Sequence, residues 1–366
     1  MIKLDGAYGS GGGALVRTAL ALSTLTGKPF AVDNIRAGKG DGGGLKAQHL
    51  HAIKALKEIC NAKTSEIEIG TKEFWYHPEK IKRGKYSIDI ETAGSISLFL
   101  QAIILPCLFA PGKITLNIKG GTCGKWQASV DYLQNVLIPH LQRFVDKIEL
   151  KVLKRGYYPK GNGEVQLEIN SRFKLQDYDS FQQFNEDLAL KTSKVDLIKQ
   201  GTLEQIRGNV NVSSELEEHE IAERIEKSAK KSLSNYDCPI NIRTEYSNTL
   251  SVGGEIVLWA IFSQNGKVDF DNPVILGGDA LIERNKKSEE IGRKAAEKLK
   301  KEIDSKTAVD RNLADQLIQF MSLLSGSEIE TREISNHTKT NIYVAEQFLN
   351  IGFKIEGNKV SVEEKE

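Results

Sequence analysis

The chain of 366 residues lacks the features that mark secreted proteins, membrane-spanning proteins and proteins stabilised by a structural metal. Its four cysteines stand far apart with no CxxC pair, which argues against a zinc ribbon and a disulfide framework. No run reaches the roughly 18 apolar residues that a membrane helix needs. The sequence opens with MIKLD and shows no signal peptide, so we expect a cytoplasmic protein with no membrane partner.

An excess of charge of one sign is also missing. The 50 lysines and arginines are balanced by 49 aspartates and glutamates, which leaves a net charge of +1. That balance excludes the global basic field of a protein that coats nucleic acid. A local basic cleft remains compatible with it, because a protein that holds only the end of a strand contacts few phosphates.

What the chain does contain is an alternation of short β-rich runs and amphipathic helices, such as the helix predicted over 48–59. The same arrangement of helices and strand pairs recurs over 13–90, 94–170 and 304–366, although generic alternation in an α+β chain gives a similar pattern. A polar stretch follows residue 170, and then a compact βαβββα pattern. We therefore predict a body formed by 1–184 and 304–366, interrupted by an inserted α/β domain over 185–303.

Two glycine-rich segments precede predicted helices. Residues 5–13 lead into a helix that carries Arg17, and residues 36–44 contain Arg36 and lead into Gln48 and His49. Free backbone N–H groups at such turns can face an anion, and an arginine one turn into the helix can clamp a phosphate. A flexible tight turn and a surface loop are the alternatives. For His49 itself, a packed or solvated side chain is the expectation.

Three further segments carry candidate chemistry. Residues 154–165 combine basic residues, two tyrosines and glycines, which fits phosphate contact and base stacking but equally a β-hairpin turn. Asp315 lies on the apolar helix LADQLIQFMSLL, where a buried charge needs a partner or a metal. His337 lies in a segment, 335–341, that we expect just before the last helix. Alone, a histidine there is typical of a helix cap or a surface position.

Taken together and in this order, these motifs resemble the RNA 3′-terminal phosphate cyclase family. The similarity extends over essentially the whole chain, because the same family also has an IRA segment, a QHL helix, a TAGS segment and a GGT turn. The matching positions here are the glycine-rich turn with Arg17, Arg36, Gln48, Thr92–Ser95 with Gln101, Gly120–Thr122 with Asp131, Arg155–Val165, Asp315–Gln316, and His337 with Thr340–Asn341.

The resemblance implies a fold and a reaction. The fold is α+β, with three repeated βαβαββ units as in enolpyruvyl transferases and a small inserted α/β domain. The reaction is nucleotidyl transfer of the ligase class: a histidine attacks ATP, AMP passes to an RNA 3′-phosphate, and the 2′-hydroxyl closes a 2′,3′-cyclic phosphate. A neutral imidazole can act as such a nucleophile near neutral pH. ATP, the RNA 3′ end and a divalent metal (Mg²⁺ or Mn²⁺) are the implied partners.

The resemblance also assigns roles to residues. His337 is the implied nucleophile. Arg17, Arg36 and Gln48 would hold phosphates, while Gln101, Asp315 and Gln316 would line the adenylate pocket and orient the histidine.

Several turns depart from the family pattern. Ser10 stands where the family has a glutamate that is a metal-ligand candidate, and Ala14 stands where it has a glutamine. The 38–44 loop is one residue longer than usual and lacks a proline, and Cys123 replaces an aspartate. These departures predict reduced activity. The alternatives are a non-catalytic, cyclase-like RNA-binding protein of the ribosome-assembly type and another transferase, such as an enolpyruvyl transferase. Neither the oligomeric state nor the natural RNA follows from the sequence.

Overall fold

The structure, a computed structural model, describes residues 1–9, 11–38, 40 and 42–365. Over these residues the chain is an α+β protein with ten α-helices and four sheets of four strands each. None of the helices within the described ranges has both the length and the apolar character that crossing a membrane requires. The sheets lie on the outside of a core that is formed largely by the helices packed between them.

The first sheet has the strand order β1-β2-β4-β3. β1 and β2 run parallel, and β4 and β3 are antiparallel to their neighbours. Helix α1 is buried over all its residues except the last, because it packs against helices on several sides. The elements are β1 (Ile2–Asp5), α1 (Gly13–Thr26), β2 (Phe30–Asp33), α2 (Ala47–Cys60), β3 (Lys63–Thr64) and β4 (Phe74–His77).

The second sheet has the order β5-β6-β8-β7. Its second helical segment spans 130–144 and includes a π-helical turn at Leu133–Leu137. His140 in this segment is 2% exposed, and neither ring nitrogen has a hydrogen-bond partner in the described part of the chain. The elements are β5 (Gly84–Asp89), α3 (Ile96–Leu108), β6 (Ile114–Gly120), α4 (Val130–Tyr132), α5 (Ile138–Leu141), β7 (Val145–Lys154) and β8 (Gly163–Ser171).

The fourth sheet has the strand order β11-β10-β12-β13. It forms within the segment of the chain between β9 and α9. Gln200 ties the two ends of this segment together, since its Nε2 donates to the carbonyl oxygens of Glu302, Ile303 and Thr307 at 3.0–3.3 Å. The elements are α6 (Phe181–Lys191), β9 (Asp196–Leu197), β10 (Thr202–Ser213), α7 (Ile221–Leu233), β11 (Ile240–Ser247), β12 (Gly254–Ser263), β13 (Val274–Leu281) and α8 (Ser288–Asp304).

The third sheet combines the short strand β9 with strands from the end of the chain, in the order β9-β14-β16-β15. β9 pairs parallel with β14, and the remaining pairs are antiparallel. The first, second and third sheets therefore share one pattern. In each of them the first two strands in the strand order are parallel, and the last two are antiparallel. The elements are α9 (Arg311–Met321), β14 (Glu328–Glu330), α10 (Asn336–Phe348), β15 (Ile351–Glu356) and β16 (Lys359–Glu364).

Most of the predicted elements are confirmed, and one boundary that matters for function is wrong. The helix predicted over 48–59 is α2, and the βαβββα pattern of the middle region is observed from β10 to α8. Residues 335–341, however, do not precede the last helix. α10 begins at Asn336, because the Ser335 hydroxyl accepts hydrogen bonds from two N–H groups of the first turn and caps the helix. The division of the chain at residues 185 and 303 stays a prediction.

Candidate active site

His337 is the second residue of α10, and its side chain is exposed. Its backbone N–H donates to the Ser335 hydroxyl at 3.0 Å, and the Thr338 N–H does the same. The imidazole therefore projects from the N-terminal turn of a helix, where the helix dipole favours a negatively charged ligand.

Asp315 on α9 fixes the start of α10. Its Oδ1 accepts hydrogen bonds from the Thr338 hydroxyl at 2.6 Å and from the Ser335 hydroxyl, and its backbone carbonyl accepts one from Asn341 at 2.7 Å. Burial raises the pKa of the Asp315 carboxyl, whereas these hydroxyl donors and the nearby His337 oppose the shift. Asp315 thus holds the capping residues that position His337, and its carboxyl group lies close enough to the imidazole to interact with it electrostatically.

Arg17 on α1 lies at the centre of the site and is only 9% exposed. Its Nε donates to Gln101 Oε1 on α3 at 2.9 Å. The backbone carbonyl of Gln101 accepts a hydrogen bond from Gln319 Nε2 on α9 at 3.4 Å. α1 is also tied to α10, because the Thr18 hydroxyl donates to Asn341 Oδ1 at 2.9 Å.

These contacts form a closed ring of four helices: α1 contacts α3, α3 contacts α9, α9 contacts α10, and α10 contacts α1. The ring joins helices associated with all three similar sheets. It brings together Arg17, Gln101, Asp315 and His337. The first and last of these residues are more than 300 positions apart in the sequence.

The site is electropositive. The pKa of Arg17 is lowered to about 10, mainly by burial and then by the nearby Arg36, while Asp315 opposes the shift. Burial and the positive charges of Arg17, Arg36 and Lys46 hold the pKa of His49 well below its ordinary value. Two guanidinium groups that repel one another inside the protein are stabilised when an anion binds between them.

His49 belongs to this site, although only a packed or solvated side chain was expected at this position. It is fully buried, its Nδ1 accepts a hydrogen bond from the Lys46 N–H at 3.0 Å, and its Nε2 has no partner among the described residues. A Cβ at Gly13 would lie 2.1 Å from His49 Nε2, so glycine at this position leaves the space that the imidazole occupies. The spacing of the QHL helix relative to the glycine-rich turn is the signal that could have revealed it.

The two remaining residues predicted to belong to the site, Gln48 and Gln316, border the ring. Gln48 is half-buried in the first turn of α2, next to His49. Gln316 is buried on α9; its Nε2 donates to the Asn312 carbonyl at 3.2 Å, but its Oε1 has no partner in the described part of the chain. Gln319 Oε1 is orphaned in the same way. These two buried amide oxygens retain an unused capacity to accept a hydrogen bond.

The first glycine-rich turn lies against α10. A Cβ at Gly9 would lie 2.5 Å from the Thr340 hydroxyl, and the rings of Tyr8 and Tyr343 stack with centroids 3.9 Å apart. Ser10, the position predicted to weaken a metal site, lies outside the described residues, as do residues 39 and 41 of the second glycine-rich loop. Among the described residues, no three His, Cys, Asp or Glu side chains are grouped so that they could hold a metal ion.

Arg155 belongs to the 154–165 segment, for which the sequence leaves phosphate contact and a β-hairpin turn open, and its guanidinium is occupied by carboxylates. The segment over 155–162 connects β7 to β8, as the β-hairpin alternative requires, and Arg155 is buried. Its guanidinium forms an ion pair with Asp131 and another with Glu245 at 3.1 Å. Burial alone would lower the pKa of Arg155, but the two carboxylates raise it. This arginine joins the second sheet to the fourth.

Comparison with known proteins identifies the family of the chain. The family model described as RNA 3′-terminal phosphate cyclase matches residues 8–355. The RNA 3′-terminal phosphate cyclase of Pyrococcus abyssi is 37% identical over 357 residues, covering 98% of this chain and 96% of its own. The protein of that name from Archaeoglobus fulgidus is 39% identical over 363 residues, covering 99% of this chain and 100% of its own. A match that runs through both the four-helix ring and the fourth sheet places the chain in the RNA 3′-terminal phosphate cyclase family.

Proposed function

We propose that this protein uses ATP to convert an RNA 3′-phosphate into a 2′,3′-cyclic phosphate through a covalent adenylate on His337. One observation carries the proposal: an exposed histidine at a helix N-terminus adjoins a buried, electropositive cluster that contains Arg17. A nucleophile next to an anion-binding pocket is what phosphoryl and nucleotidyl transfer require. The names of the related RNA 3′-terminal phosphate cyclases support the RNA substrate.

The proposed reaction has three steps. A ring nitrogen of neutral His337 attacks the α-phosphorus of ATP; the N–P bond forms, and the P–O bond to pyrophosphate breaks. An oxygen of the RNA 3′-phosphate then displaces His337 from the adenylate, which restores the free imidazole. Finally the 2′-hydroxyl attacks the activated 3′-phosphorus, loses its proton, and AMP leaves. The leaving groups are pyrophosphate, the imidazole of His337 and AMP, so the chemistry needs positioning and positive charge more than a strong base.

The other residues of the ring have supporting roles. Arg17, Arg36 and Gln48 would bind the phosphates, because the mutual repulsion of the two guanidinium groups is relieved by anions. The orphaned Oε1 of Gln316 would accept a hydrogen bond from the adenylate, and Gln101 would hold Arg17 in position. Asp315 is a positioning residue that acts through Ser335 and Thr338.

The described residues fit ATP better than they fit a divalent metal. Cations, orphaned amide oxygens and a helix N-terminus suit a nucleotide, whereas the Oδ1 of Asp315, the carboxylate that interacts with His337, already accepts two hydrogen bonds. No step proposed here passes through a metal. A Mg²⁺ or Mn²⁺ that accompanies ATP would take most of its ligands from phosphate oxygens and water.

A non-catalytic RNA-binding protein of the ribosome-assembly type is the less favoured function. An RNA-binding module has no need for a network of hydroxyl, carboxylate and amide groups that fixes the first turn of α10 around an exposed histidine. The cytoplasmic location expected from the sequence remains a prediction.

We also propose that the body consists of three repeated βαβαββ units, as in enolpyruvyl transferases. The shared strand order and pairing directions of the three sheets support this architecture. The parallel pairing of β9 with β14 favours an inserted domain that begins after residue 197, within the range 185–303 expected from the sequence.

The decisive experiment is to label the protein with α-³²P-ATP in the presence of Mg²⁺ or Mn²⁺ and to separate it on a denaturing gel. We expect a label that is lost in acid, as a phosphoramidate is, and that is absent from His337→Ala. His219→Ala is the matched control, since His219 is another exposed histidine, located in the inserted region. An unlabelled parent protein under all metal conditions, or equal labelling of His337→Ala, would contradict the proposal.

A further inference from the structure

Three loops present large apolar side chains to solvent in one region of the surface. Trp126 is 97% exposed and Tyr158 is 78% exposed, while Leu250 and Val252 are about half exposed. We call the loops that carry these four residues (124–127, 157–160 and 250–252) the aromatic surface. Exposed apolar residues scattered singly are ordinary, but a concentration of them on adjoining loops marks a binding site.

The three loops are held together by specific contacts. The Lys160 N–H in the 157–160 loop donates to the Ser251 hydroxyl at 3.1 Å. The Thr122 N–H, just before the 124–127 loop, donates to the Gly156 carbonyl at 2.9 Å. A Cβ at Gly253 would lie 2.7 Å from Tyr157 Cβ, so the 250–252 loop approaches the 157–160 loop as closely as glycine permits. The aromatic surface is therefore a preformed feature that combines the body and the inserted region.

The conformation of Trp126 adds to this picture. Its φ is 63°, in the left-handed region that bulky residues rarely adopt. The indole of Trp126 is almost wholly in solvent, so neither the side chain nor its strained backbone contributes to packing of the core. Such an arrangement is expected where the side chain binds something outside the protein.

The aromatic surface adjoins the candidate active site. The Ser97 hydroxyl on α3 donates to the carbonyl of Ala128, two residues after Trp126. Ser97 precedes Gln101 by one helical turn, roughly 6 Å, and Gln101 is bonded to the buried Arg17. On the other side, a Cβ at Gly161 would lie 2.0 Å from the carbonyl oxygen of Thr92, at the start of the same helix.

The charges of the aromatic surface are complementary to a polyanion. Lys125 and Lys160 are exposed, and within the described residues neither ammonium group lies within 4.0 Å of a carboxylate. Aromatic faces flanked by cations are the combination with which proteins bind single-stranded nucleic acid, because bases stack on the rings while the cations neutralise the phosphates.

From these observations we infer that the aromatic surface binds the single-stranded RNA immediately 5′ of the reacting end, with bases stacked on Trp126 and Tyr158 and the backbone along Lys125 and Lys160. This assignment rests on the proposed function, since it takes the 3′ end to lie at His337. It predicts that longer single-stranded substrates bind more tightly than short ones, and that duplex RNA gains little from this surface.

The test is equilibrium binding of a 5′-fluorescein-labelled single-stranded RNA of about ten nucleotides, a length within the site sizes of single-strand binders. Fluorescence anisotropy is measured without ATP. We expect Trp126→Ala and Tyr158→Ala each to raise Kd by roughly 5-fold to 100-fold, the range for loss of one stacked base. Trp126→Phe, which keeps an aromatic face, should recover most of the affinity. Trp75→Ala, at a partly exposed tryptophan in β4, is the matched control and should bind like the parent.

Because binding is measured without nucleotide, its outcome is separate from that of the labelling experiment. If the parent binds RNA through Trp126 but is never adenylylated, the proposed reaction fails while the surface stands. If Trp126→Ala and Tyr158→Ala bind the single strand as tightly as the parent, the surface serves another partner, such as a protein, and the inference is wrong. Equal losses for a blunt duplex would contradict it too, since paired bases cannot stack on these rings.

Discussion

Replacing the buried His140 should remove a measurable part of the pH dependence of stability. Burial, and secondarily the nearby Arg143, lowers the pKa of His140 to about 3 from an ordinary value of 6.5. Between pH 3 and pH 6.5, His140 is protonated in the unfolded chain but neutral in the folded protein. The contribution of His140 to the free energy of unfolding is therefore complete above pH 6.5, and it falls by about 1.4 kcal/mol per pH unit as the pH decreases toward 3.

This slope gives a definite magnitude. Relative to pH 7.5, neutral His140 should cost the folded state about 1.4 kcal/mol at pH 5.5 and about 2.7 kcal/mol at pH 4.5. The orphaned ring nitrogens provide no compensating hydrogen bond in the described part of the chain. In His140→Leu and His140→Phe the free energy of unfolding should thus decrease less on acidification than in the parent, by these amounts.

The assay is urea unfolding of the parent and both variants at several pH values and constant ionic strength. Leucine and phenylalanine differ in volume, so a packing defect would shift the two curves by different constant amounts. Protonation would instead make both differences from the parent change with pH in the same way. Parallel curves for parent and variants between pH 7.5 and 4.5 would show that His140 can be protonated in the folded protein, and would refute this reasoning.

Three further substitutions test the contacts of the site and of its support. Gln101→Leu should cost about 1.5–3 kcal/mol in chemical unfolding and slow adenylylation, because it leaves the buried guanidinium of α1 without its acceptor; unchanged stability would contradict that role. Gly13→Ala should cost about 1–3 kcal/mol from the steric conflict with the neighbouring imidazole, whereas Gly38→Ala, with open space around it, should cost almost nothing in the same thermal scan. Arg155→Met should cost about 3–5 kcal/mol by leaving Asp131 buried without its cation, and adding Asp131→Leu should recover part of that loss if the charge is the cause.

Local sequence patterns were sufficient for most helices and for the residues that lie within one segment of the site. The apolar periodicity of 48–59 predicts α2, and a charged residue on the apolar face of α9 correctly singles out Asp315 as a residue that needs a partner. Such patterns depend on neighbours three or four residues apart, which the sequence displays directly.

Contacts between distant segments were not predictable in this way. The basic and aromatic composition of 154–165 suggests a phosphate contact, but Arg155 pairs with carboxylates 24 and 90 residues away, and only the fold brings them together. His337 lies inside α10 because a serine hydroxyl replaces the missing acceptors of the first turn, a capping signal that was available in the sequence. His49 became part of the site only because a glycine lets two helices approach.

The contacts of Gln200 have a consequence for the order in which the protein can fold. β9 and β14 pair across roughly 130 residues, and closing so long a loop is entropically costly and slow. If the inserted region folds first, Gln200 holds its two ends side by side, and the loop that remains is shorter by a factor of about five. By the logarithmic dependence of loop entropy on length this lowers the closure cost by ~1.4 kcal/mol. The third sheet, and with it the helices that carry Asp315 and His337, would then assemble last, so the proposed nucleophile is positioned only once the rest of the chain is in place.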